Sequence, residues 1–157
     1  MIGSRRSSVF PAPARAVLGA ASYEEALARS RAVTGRGLSR QTFGILPKIA
    51  EVDRLMTPER QSHLFEVHPE VCFSVLSGHP MSRHKATPEG HAERLAALRH
   101  LFPDVDRALA RRPGYVQPDD ILDAYVAAWT ARRFLDRTHL RLGGDRDRRG
   151  LQMEIIA

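Results

Sequence analysis

The stretch SHLFEVHPEVCFSVL, Ser62 to Leu76, constrains this chain most. Its apolar run from Leu64 to Val67 predicts a short buried strand. Pro69, suited to a first helical position, predicts that this strand runs straight into a helix. Three groups able to take a proton or a metal, Glu66, His68 and Glu70, fall within five residues of that junction. In an extended chain residues i, i+2 and i+4 share one face, so all three point the same way if the extended form lasts that far. Charges are costly to bury without a partner or a metal. Chemistry is expected here first.

A chain of 157 residues fits one domain with a real core. No apolar run approaches the length of a membrane span, and residues 1–20 lack a signal-peptide core, so a cytoplasmic protein is expected. Cys72 is the single cysteine, which excludes a disulfide within the chain. Its neighbours Val71 and Phe73 point to a buried, inert thiol. The net charge of +6 favours polyanionic partners. Of the 24 basic residues only Lys48 and Lys85 are lysine. Arginine forks onto phosphate oxygens, so the bias suits nucleic acid. A biased genome composition produces the same bias.

In chain order, Arg5, Arg6, Pro11 and Pro13 belong to a basic, extended lead. Ser22 and Glu25 form an S-x-x-E capping box for a first helix, with Tyr23, Ala26, Leu27 and Val33 as its apolar face. A second helical stretch starts at Ser39. Pro47 is expected to split it, with Ile49, Val52, Leu55 and Met56 facing the core beyond the break. Ser77 to Ala86 reads as a polar loop in which Arg83 and Lys85 could touch phosphate. Thr87-Pro88-Glu89 opens a further helix, with Leu95, Leu98 and Phe102 as its stripe. A short helix follows, running to Leu109.

Gln117 to Leu135 is the second informative stretch. Asp119 and Asp120 at its start are accounted for by capping and the helix dipole. Asp123 lies too deep in the helix to cap it and borders the small-residue stripe of Ala124, Ala127, Ala128 and Ala131. A carboxylate there needs a partner, and a metal is one. Leu122, Tyr125, Val126 and Trp129 add a large apolar stripe, so this helix is expected to be buried nearly all round. The chain closes with an Arg-rich loop holding Arg146, Arg148 and Arg149, a site for backbone phosphate, and an alternating strand from Leu151 to Ile156.

Several stretches in this order, RRSSVFPAP, G-x-GLSRQTFGILPKIAEVD, FEVHPEVCF, TPEG, PDDILDAYVAAWTA and GLQMEI, resemble domain-of-unknown-function family 429. That family is described as predicted RNase H-like nucleases, and the likeness runs from about Arg5 to the C-terminus. The resemblance implies an α/β, RNase H-like domain that hydrolyses phosphodiesters with two divalent ions, magnesium or manganese, held by acidic residues. Glu66 matches the later-strand acid and Asp123 the helix acid. Asp120 is the auxiliary ligand, and Glu70 and His68 are weaker candidates.

A first strand and hairpin with an Asp-Gly motif precede the matching stretches in the family, and nothing here corresponds to them. Residues 1–157 are therefore expected to form a single, helix-rich RNase H-like domain, N-terminally incomplete and poor in strands. Two functions follow. One is a metal-dependent nuclease, inactive as this shortened chain; the other is a non-catalytic basic module that binds nucleic acid or protein. An exposed sheet edge would be covered by a second copy or by a partner chain.

Overall fold

A computed structural model describes residues 12–157. They fall into two compact units, 12–62 and 63–157. The fold is α/β and helix-rich, with six α-helices and two strands among the described residues. None of these helices is long and apolar enough to cross a membrane.

In the first unit a 3-10 turn, Arg15–Val17, precedes helix α1, Tyr23–Thr34. The Ser22 hydroxyl accepts from the Glu25 amide at 3.1 Å, so α1 starts where the capping signal lies. It stops at Gly35, whose left-handed backbone favours glycine. Helix α2 spans Arg40–Leu55 behind the Ser39 cap. Pro47 does not break it. The proline sits on the exposed side, where the carbonyl deprived of its donor can turn to water, while Thr42 and Leu46 anchor the buried side. The small core joins Val17, Ala26, Leu38 and Leu46. Val52 and Leu55, expected inside, are more than half exposed at 57% and 58%, as is Val33.

The second unit carries helices α3 (Pro69–Ser77), α4 (Pro88–Arg99), α5 (Val105–Arg111) and α6 (Pro118–Leu135), then strands β1 (Arg141–Arg146) and β2 (Gln152–Ile156). Phe73, Met81, Leu98, Val105, Leu122 and Val126 form its core, where α6 meets α3, α4 and α5. Helix α6 is not buried all round. Leu122, Val126 and Thr130 are buried, whereas Ala124, Ala128 and Ala131 face solvent.

The expected strand over Leu64–Val67 is an extended segment rather than a ladder. Val67 alone makes a bridge, parallel to Ile156, and Leu64 is exposed. Its sheet neighbour β2 meets it only at that C-terminal end. Strands β1 and β2 pair antiparallel, with a bulge between Gly143 and Asp145. Half of the expected Arg-rich loop is therefore strand β1. Gly143 makes the bulge feasible: its φ is +92°, and a Cβ there would lie 2.3 Å from the Met153 carbonyl oxygen. The turn left over, Asp147 to Gly150, closes on Asp147, whose carboxylate accepts from the amides of Arg149 and Leu151.

Candidate functional site

Three elements of the second unit meet at the start of α6: the N-terminus of α3, the 81–86 loop leading into α4, and α6 itself. The loop is anchored, not merely solvated. Met81 is buried at its base. The Glu93 carboxylate accepts from the Ser82 amide at 2.8 Å, from the Ser82 hydroxyl at 2.8 Å and from the Arg83 amide at 3.1 Å. The His84 carbonyl takes both the amide and the hydroxyl of Thr87 at 2.9 Å. These bonds aim Lys85 at α6. Its Nζ lies 2.9 Å from Asp119 Oδ2 and 3.1 Å from Asp123 Oδ2. Residues one turn apart on a helix face the same way, which is why one ammonium spans both carboxylates.

The shared lysine splits the two acids. Asp119 is held below the usual carboxylate range, chiefly by the Lys85 hydrogen bond. Asp123 is pushed up, because burial outweighs the Lys85 charge and hydrogen bond and the Asp119 charge adds to it. Partial burial alone would lower Lys85, yet the two carboxylates raise it.

The other candidate acids are committed elsewhere. The extended form ends at His68, and α3 begins at Pro69, so Glu66, His68 and Glu70 do not share a face. Glu70 is buried and accepts from Arg94 Nη2 at 2.7 Å, an ion pair with 1% exposure on the arginine side. Arg94 Nη1 also donates to the carbonyls of Gly90 at 2.8 Å and Arg83 at 3.2 Å. Asp120 accepts from the Gln117 amide at 3.0 Å. Of the two acids expected to cap α6, it is the one that takes the Gln117 amide. Asp120→Ala should therefore cost on the order of 1 kcal/mol in chemical denaturation and leave the lysine pair intact. Asp119→Ala should spare the cap and release one side of Lys85, which nuclear magnetic resonance of the ammonium would detect.

Glu66 stands apart from these pairs. Although the residue is exposed at its edge, burial of the carboxyl pushes its pKa up, with the His68 charge opposing. Its backbone carbonyl accepts from the Ile156 amide at 2.9 Å, and Cys72 Sγ donates to the Ile156 carbonyl at 3.8 Å. The thiol is raised by burial first, with a contribution from the Asp123 charge, as an inert buried cysteine should be.

Among the described residues, no three or more His, Cys, Asp and Glu side chains are grouped so as to hold a metal ion. Lysine and arginine already neutralise three of the acids, and a helix amide takes a fourth. The described acids, so arranged, do not fit a centre for two magnesium or manganese ions, which needs several free carboxylates around each pair of cations.

The expected phosphate contacts divide in the same way. Arg5 and Arg6 lie outside the described residues. Lys85 is engaged by Asp119 and Asp123 rather than open to phosphate. Arg83 is exposed, while Arg146 donates to the Gly150 carbonyl at 2.6 Å. Arg148 and Arg149 lie in the tight turn. Arg94 went unnoticed in the sequence, yet it had a signal. It sits four residues before Leu98, on the buried face of α4, and a charge on that face requires a buried counter-charge.

No curated protein and no solved structure matches this sequence. The family described as "Protein of unknown function (DUF429)" matches residues 1–148. The chain belongs to that family.

Proposed function

We propose that this protein is a non-catalytic, basic module on an RNase H-like framework that binds the phosphate backbone of nucleic acid. One observation carries the reading: positive charge is segregated along the chain. Residues 63–157 have 13 acidic and 14 basic side chains, so nearly all of the +6 charge lies in residues 1–62. In the described part of that segment Arg31, Arg36, Arg40, Lys48 and Arg54 are exposed. Arg40 stacks over the Tyr23 ring at 4.3 Å, a geometry that leaves its fork free to meet a phosphate or a base. The RNase H-like part of the reading rests on the resemblance of FEVHPEVCF and PDDILDAYVAAWTA to the family.

Fluorescence anisotropy with labelled single- and double-stranded oligonucleotides tests it. Binding should be independent of sequence. A surface that neutralises about four phosphates loses roughly 100-fold in affinity between 50 and 200 mM salt. Replacing Arg31, Arg36 and Arg54 with glutamine should flatten that salt dependence. Absence of binding at the lower salt would refute the nucleic-acid reading. Magnesium-dependent cleavage that disappears in Asp123→Asn would refute the non-catalytic one.

A further inference from the structure

We infer that Lys85 is the resident cation of the α6 carboxylate pair, filling by a covalently tethered ammonium the position that a divalent ion would otherwise take between Asp119 and Asp123. The inference stands on the geometry of the second unit and does not depend on nucleic-acid binding.

Three observations lead to it. First, the ammonium contacts both carboxylates, at 2.9 and 3.1 Å, and all three side chains are partly shielded, with exposures of 40%, 32% and 23%. A compact point charge with three donors suits two converging oxygens. Second, the loop that carries Lys85 is built for this aim. Glu93 gathers three donors from Ser82 and Arg83, and Arg94 holds the Arg83 carbonyl from below. Gly90 lets the backbone of His84 approach so closely that a Cβ would fall 2.0 Å from its oxygen. A loop with no task at its tip needs no such anchoring. Third, Asp123 does not cap the helix, and among the described residues Lys85 is its hydrogen-bond donor, so without Lys85 a half-buried carboxylate would face Asp119 with Arg94 as the remaining nearby positive charge.

The ammonium excludes a metal by competition. Being tethered, it acts at an effective concentration of millimolar or more, whereas a free ion must first shed part of its hydration shell. Two carboxylates with water ligands are enough to hold magnesium or manganese weakly once the ammonium is gone. Exchange of one cation for the other is therefore the signature to look for.

Thermal unfolding of the full chain, with manganese or with chelator, is the test. The wild type should be indifferent to manganese, and so should Lys85→Arg, which keeps the charge. Lys85→Met should unfold several degrees lower in chelator and regain roughly 3 °C with millimolar manganese in a saturable way. Lys85→Met combined with Asp123→Asn should lose that response. A Lys85→Met protein that manganese does not stabilise overturns the inference, whatever its unfolding temperature. Should that variant fail to fold, electron paramagnetic resonance of manganese decides on the wild type. Bound ion that Asp123→Asn releases overturns the inference, and its absence upholds it.

Discussion

Arg94→Met is expected to destabilise the protein by about 3–5 kcal/mol, the largest effect of any single change considered for this fold. The guanidinium is 1% exposed, and its loss takes a buried counter-charge away from the Glu70 carboxylate, itself 7% exposed, between α3 and α4. A buried carboxylate that loses a counter-charge costs more to keep ionised, which opposes folding. The arginine also holds the carbonyls of Gly90 and Arg83, and its Cζ lies 5.7 Å from the centre of the Phe73 ring. Glu70→Leu combined with Arg94→Met should recover much of the loss, because replacing both partners with apolar groups removes the buried charge that lost its counter-charge. Recovery should be incomplete, since the two carbonyls remain without their donor. Urea denaturation of the single and double variants measures this. If Arg94→Met cost less than about 1 kcal/mol, the pair would not be the internal brace described here.

Gly90→Ala is expected to be the second most damaging change, although it lies in the first turn of a helix where alanine is ordinarily preferred. Intrinsic propensity would favour alanine by roughly 0.5–1 kcal/mol. Space decides otherwise. The new Cβ would lie 2.0 Å from the His84 oxygen, 2.6 Å from its carbonyl carbon and 3.2 Å from that of Arg83. All three are backbone atoms, fixed by the Thr87 cap and by Arg94, so no side chain can swing aside. Overpacking of this kind costs about 1–3 kcal/mol, and a backbone obstacle puts the value at the upper end. The loop must move, and with it Lys85. Loss of stability should thus come with loss of the Lys85 bond to Asp123. A Gly90→Ala protein as stable as wild type would show that the loop is softer than its anchoring suggests.

The first prediction turns on an acid neutralised from within, and the second on the close-packed loop that carries another such partner, Lys85. Glu70 looked like a ligand because it is acidic and close to Glu66 in sequence. It is a brace because a helix starts between them and turns it inward onto Arg94. The sequence marks Asp123 as an acid that needs a partner, with a metal as the candidate. The partner is Lys85, 38 positions earlier. Asp119 and Asp120, both expected to cap, divide between two partners, because one residue of rotation about a helix axis separates the face toward Lys85 from the face toward the Gln117 amide.

What the sequence determined by itself is local. Ser22, Ser39 and Thr87 cap the helices they precede, and Pro69 and Pro118 open theirs. These features arise between residues one to four apart, where backbone geometry alone brings donor to acceptor. Tertiary structure decided the rest: which side of α2 and α6 meets the core, whether Leu64 to Val67 finds a strand to pair with, and which base neutralises which acid. Glu70 and Arg94 lie 24 residues apart, and Lys85 and Asp123 lie 38 apart. Coulomb attraction and desolvation depend on distance and burial in space, and no local pattern carries either quantity.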